Sequence, residues 1–139
     1  MSQHEMIGDN FRLGFRFQRH WDVAMASAFF CGELGAGVFL VSMIYAFVPG
    51  LVLGLLITGV GKTLFHLLHM GVPGKSWRAI LRPDRSWISR GLLGIVVFCG
   101  AGILHTIGVA LGLGGALAGA IALVAGAAAL VVMTYQGFA

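Results

Sequence analysis

The sequence predicts an all-α membrane protein, an up-down bundle of four transmembrane helices. Three observations lead to that class. The residues are 58% hydrophobic and only 10% charged, whereas a soluble domain carries about 25% charged residues. Four apolar runs alternate with short breaks rich in Gly, Pro or charge, and each run is long enough to cross about 30 Å of hydrocarbon. The charge gathers at the breaks. A net charge of +4 could also suit nucleic acid, but these cations lie beside apolar spans, where membrane topology places them, and not along a soluble face.

Residues 1–20 read as an interfacial or partner-binding arm. Phe11, Leu13, Phe15 and Phe17 interleave with Arg12, Arg16 and Gln18. Period two suits a strand, yet one strand alone has no partner, so an arm lying on headgroups or on a partner subunit is expected. The first residues lack an apolar core followed by a small-residue cleavage site, so no cleavable signal peptide is expected. Arg12, Arg16, Arg19, His20 and Trp21 form a collar of interface anchors.

Residues 21–139 form the four-helix domain. The first span is expected from Val23 to Val48, with Pro49-Gly50 as a tight turn. The second runs from Leu51 to Met70 and stops at Gly71-Val72-Pro73-Gly74, because Pro and Gly both end helices. A basic loop follows. The third span runs from Ser86 to Leu111, Gly112 to Gly115 turn the chain, and the fourth runs from Ala116 to Tyr135. The arm and the loop with Lys75, Arg78, Arg82, Arg85 and Arg90 fall on one side of such a bundle, while the two opposite turns are uncharged. The positive-inside rule assigns the basic side to the cytoplasm.

Small residues are dense. Gly32, Gly35, Ala36 and Gly37 lie in the first span, Gly91, Gly94, Gly100 and Gly102 in the third, and Gly115 and Gly119 open the fourth as a GxxxG. They let helices approach closely in lipid and say nothing of catalysis. Cys31 and Cys99 fall inside apolar runs and read as inert core thiols. Gly59-Val60-Gly61-Lys62-Thr63 resembles the end of a phosphate-binding loop, but the glycine that motif needs earlier is Leu56 here and the segment is intramembrane.

The stretch from Lys62 to Gly91 concentrates the chemistry. It holds six of the nine Lys and Arg, two of the five His and two of the three Trp. Four ionisable residues fall inside spans, Glu33, Lys62, His66 and His105, and such residues are costly in hydrocarbon. At the helical rise, His66 lies about 6 Å and Lys62 about 12 Å below the basic end, Glu33 about 17 Å and His105 about 26 Å. His66 and His105 then differ by about 20 Å in depth and cannot share one haem iron. Neither haem nor a metal is expected in this chain. Glu33 and Lys62 differ by about 5 Å in depth, as a buried ion pair would require. With His105 they alternatively form a staggered ladder for proton handling. Histidine near the interface suits a quinone head, which needs hydrogen-bonding groups and protons on reduction. His66, His69 and His20 are the candidate contacts, with Trp21 and Trp77 as walls. The same residues also suit plain interface anchors.

The segment His66-Leu-Leu-His69-Met-Gly71-Val-Pro73, with Trp77-Arg78 and Ser86-Trp87-Ile-Ser89-Arg90-Gly91, resembles the NrfD/PsrC family, the integral membrane subunits of polysulfide reductase-type enzymes. Trp21, Phe29-Phe30 and Gly35-Ala36-Gly37 are similar to that family's first helix. The resemblance spans roughly residues 20–138 and one four-helix half of the family's two bundles. It implies a subunit in a bacterial or archaeal cytoplasmic membrane that docks an iron–sulfur electron-transfer subunit. Through that subunit it would serve a molybdenum- or tungsten-type catalytic subunit, and it would exchange electrons with menaquinone or ubiquinone. Arg78, Arg82, Arg85 and Arg90 would dock the partner, and a second copy or second half-bundle would complete the membrane domain. The alternative is a purely structural anchor or assembly subunit without its own quinone site. A small transporter half is a third reading.

Overall fold

The computed structural model describes residues 22–70 and 87–135. The elements are α1 (Val23–Ile44), α2 (Val48–Leu56), a π-helical segment (Ile57–Lys62), α3 (Thr63–Met70), α4 (Trp87–Ala110) and α5 (Ala116–Thr134). α2, the π segment and α3 follow one another as a single second span. The four helices of spanning length cover Val23–Ile44, Val48–His69, Ser89–Ala110 and Ala116–Thr134. Among the described residues the chain is a four-helix, multi-pass membrane bundle.

Local chemistry explains the helix ends. Asp22 caps α1, its Oδ1 accepting from the Met25 N–H at 2.8 Å, which satisfies one of the donors a helix start leaves open. The turn between the first two spans is not at Pro49-Gly50. It lies at Tyr45–Phe47, where Ala46 takes φ 49° and the Phe47 N–H donates to the Ser42 carbonyl at 2.9 Å. Pro49 sits in the first turn of α2, where a missing N–H costs nothing and a fixed φ suits a helix start. The second turn matches its glycines, with Gly112 at φ 65° and Gly115 at φ 102°, conformations that L side chains rarely adopt.

The spans form a ring in which each packs on its sequence neighbours and α1 closes against α5, as expected of an up-down bundle with short connections. Ala36 and Phe39 of α1, Leu51 of α2, Ile95 and Phe98 of α4, and Ala125, Ala128, Ala129 and Val132 of α5 build the core. Phe39 and Phe98 meet across it edge to face, with centroids 5.0 Å apart. The exterior is apolar: Phe30, Val41, Leu53, Val60, Leu68, Leu104 and Leu123 are all exposed, which suits hydrocarbon as solvent.

The tightest approach joins α1 to the second span. A Cβ on Gly54 would lie 2.7 Å from the Gly35 carbonyl oxygen and 2.8 Å from Phe39, and one on Gly35 would lie 2.8 Å from the Gly54 oxygen. The small-residue pair that mediates contact is therefore Gly35 and Gly54, while Gly50 packs against Ser42 and Phe47 at the turn. Gly119 meets nothing within 4 Å and Gly115 is the α5 cap, so the GxxxG of the fourth span makes no helix contact within the described residues. Gly54→Ala should accordingly lower stability by about 1–3 kcal/mol, the usual penalty of overpacking, whereas Gly119→Ala should leave it unchanged. Thermal unfolding of both variants in the same detergent measures the difference.

Candidate functional site

Antiparallel pairing gathers the polar side chains of the second span at the basic end. There Asp22 meets His69, with the His69 Nδ1 3.0 Å from the Asp22 Oδ1. One turn deeper, the His66 ring lies 6.2 Å from that of Phe29. One turn deeper again is Lys62, the last residue of the π segment, and then Thr58. Thr58, Lys62 and His66 are spaced four apart and share one face of the helix. Lys62 and Thr58 are fully buried.

Lys62 is where all four spans meet. Its Nζ lies 4.7 Å from the ring centroid of Tyr135, the α5 C-cap, and 5.5 Å from that of Phe29 in α1. The Tyr135 ring rests on Gly91 of α4, where any side chain would overlap it. The π segment sits between two thiols. A Cβ on Gly61 would be 3.4 Å from the Cys31 Sγ, and one on Gly59 would be 3.3 Å from the Cys99 Sγ. Glycines admit the wider turn between α1 and α4, and the wider turn sets the direction of Lys62.

The lane is under-satisfied. Thr58 Oγ1, Lys62 Nζ and His66 Nδ1 are buried and meet no hydrogen-bonding partner among the described residues. Desolvating an ammonium costs several kcal/mol even after relaxation. A desolvated cation–π contact returns only about 2 kcal/mol, so the two rings leave Lys62 short, with its N–H donors unpaired.

The other candidates separate. Glu33 is exposed and lines a shallow groove with Leu34, Gly37, Val38, Val41 and Ser42. It does not reach Lys62, whose Nζ is unpartnered, so the expected buried ion pair does not form: Glu33 points away from the core that Lys62 enters. His105 is half-buried, its ring 6.3 Å from Phe39 and its Nε2 unpartnered. It lines an apolar cavity of about 380 Å³ with Leu104, Gly108, Leu113 and Leu117. Glu33 thus lines an outer groove, Lys62 is fully buried and His105 lines a separate cavity, so no hydrogen-bonded ladder joins the three among the described residues. Arg90 is exposed at the basic end of α4. His20, Trp21, Trp77, Arg78, Arg82 and Arg85 lie outside the described residues. Among the described residues no group of three His, Cys, Asp or Glu is placed to hold a metal ion.

Four contributors escape a reading of the sequence alone. Phe29 and Tyr135 look like ordinary span aromatics, and Thr58 like a neutral helix residue. Asp22 does carry a signal, a capping residue directly before an apolar run. No family model, curated protein or solved structure matches the chain, so the site rests on its own geometry.

Two tests follow. Lys62→Met removes an unpaired buried cation at similar volume and should raise stability, by about 1–4 kcal/mol if it behaves as other buried ionic groups do. Thermal unfolding in detergent reads this out. At the surface, the Met25 N–H and then His69 hold the Asp22 carboxyl below its ordinary value. A lowered folded pKa stabilises above the unfolded value and is lost as pH falls through the folded one. Asp22→Ala should therefore melt lower than wild type at neutral pH, and the gap should close as the pH drops below about 4. Melting curves across that range measure it.

Proposed function

We propose that this chain is the membrane subunit of a multi-subunit oxidoreductase, docking an iron–sulfur electron-transfer subunit and exchanging electrons with a membrane quinone. The reading combines the resemblance of its central segment to the NrfD/PsrC family with one structural observation. The buried His66 Nδ1 has no hydrogen-bonding partner, lies beside the Phe29 ring, and is one turn from Lys62 at the basic end of the bundle. A flat apolar head with an oxygen at its edge suits such a place: an aromatic wall beside an unused hydrogen-bonding nitrogen.

A quinone supplies two-electron chemistry coupled to two protons. The chain's own residues divide the remaining work. His66 orients a carbonyl oxygen and exchanges a proton there. Lys62 adds a positive charge behind it, favouring added electron density in a low-dielectric surrounding. His69 is engaged by Asp22, so it fixes the mouth of the site. His20 would be a further quinone contact, with Trp21 and Trp77 as walls, all three outside the described residues. Arg78, Arg82, Arg85 and Arg90 form the basic docking surface. The partner would be the iron–sulfur subunit and, through it, a molybdenum- or tungsten-type catalytic subunit. The membrane would be a bacterial or archaeal cytoplasmic membrane with the basic end inside.

Purification of the tagged chain in mild detergent tests the partner. Iron and acid-labile sulfide in a co-purifying cluster protein support the reading, and a chain that emerges alone without iron sinks it. His66→Leu then separates a quinone-reactive subunit from a structural anchor. The complex should assemble normally while quinone-linked turnover falls at least about 100-fold. An anchor would keep both assembly and turnover.

A further inference from the structure

The unpaired polar atoms on the second span form a line with one open end. Thr58 Oγ1, Lys62 Nζ and His66 Nδ1 recur at four-residue intervals on its core face, all buried and without partners among the described residues. Buried polar groups that lack protein partners are met by ordered water. In hydrocarbon the need is greater, because nothing else there can hydrogen-bond. Toward the basic surface the line continues to the exposed Asp22–His69 pair. Toward the opposite surface it stops. At Thr58 the line closes: a Cβ on Gly35 would overlap the Thr58 Oγ1 and lie 2.7 Å from the Thr58 backbone nitrogen and 2.8 Å from the Gly54 carbonyl oxygen, and the Phe39–Phe98 pair fills the core.

We propose that ordered water fills this lane from the basic end as far as Thr58, forming a one-ended half-channel through which Lys62 exchanges protons with the basic side only. The exchange balances in itself. A proton leaving the Lys62 ammonium passes to lane water, moves past His66 to bulk water, and returns by the reverse route. No oxidant or reductant takes part. Glu33 makes no hydrogen bond to Lys62 but lies within its electrostatic reach from α1, and His105 faces a separate cavity. The chain therefore delivers protons to a site inside the bundle and does not conduct them across the membrane. This extends the oxidoreductase reading by naming the side from which protons arrive, and it is testable without any quinone.

Hydroxyl-radical footprinting of the wild-type chain in lipid nanodiscs is the first test, because radicals formed from internal water mark the side chains beside it. Phe29 and Tyr135 should be oxidised several-fold more than Phe39 and Phe98, which serve as dry controls. Equal protection of all four rings overturns the proposal. The second test places a thiol at the inner end with Thr58→Cys, in a Cys31→Ala and Cys99→Ala background that keeps Lys62 and His66. The permanently charged, membrane-impermeant trimethylammonioethyl methanethiosulfonate is applied from each face of oriented vesicles. Modification from the basic face alone is the expected result. Modification from the opposite face, or from neither, overturns it. Neither readout depends on electron transfer, so an unlabelled lane leaves the quinone reading standing, and a missing cluster partner leaves the half-channel standing.

Discussion

The contact between the backbones of α1 and the second span, at Gly35 and Gly54, is the constraint on which the rest of the bundle depends. Lipid tails are as apolar as leucine, so no hydrophobic force drives helices together inside a membrane, and close van der Waals approach has to do so. Where the two backbones meet, the offset between the spans is fixed. That offset puts Phe39 under Phe98 in the core. It also brings Phe29 level with Lys62 and His66, and Asp22 level with His69. One apolar contact thus sets the register of every polar contact nearer the basic end.

The bundle consequently divides along its length. The half toward the uncharged turns is packed with Phe39, Leu51, Phe98 and small residues, while the half toward the basic loop encloses Lys62 and His66 with aromatic neighbours. Cation–π contacts and packing do not offset the burial of an ammonium group.

Much of the architecture was legible because membrane spans are set by length and composition. The starts of α4 and α5 fall within a residue of where the apolar runs begin. The first turn was misplaced because Pro49 and Gly50 read as chain reversal, whereas proline also suits the opening turn of a helix. At the site, depth could be read from helical rise but direction could not. Glu33 is exposed while Lys62 is fully buried, a difference in facing that helical rise does not carry. The π segment rotates Lys62 in a way that a regular helical wheel cannot show. Tyr135, the C-cap of α5, reaches Lys62 with its ring set in the space that Gly91 leaves open, a relation between distant residues that no local pattern encodes.

The wide turn at Ile57–Lys62 also makes the second span a helix of two independently phased halves. Its hydrogen bonds skip one residue more than those of an α-helix. Rewinding those six residues as ordinary α-helix, with none removed, would turn everything after them by about 100°. Leu51 and Gly54 would keep their seats in the core while His66 and His69 swung off the bundle axis. Loss of one residue along with the rewinding would cancel that rotation, because about five α-helical residues turn through the same angle as six π-helical ones, so the wide turn is what lets a span one residue longer keep its histidines facing inward.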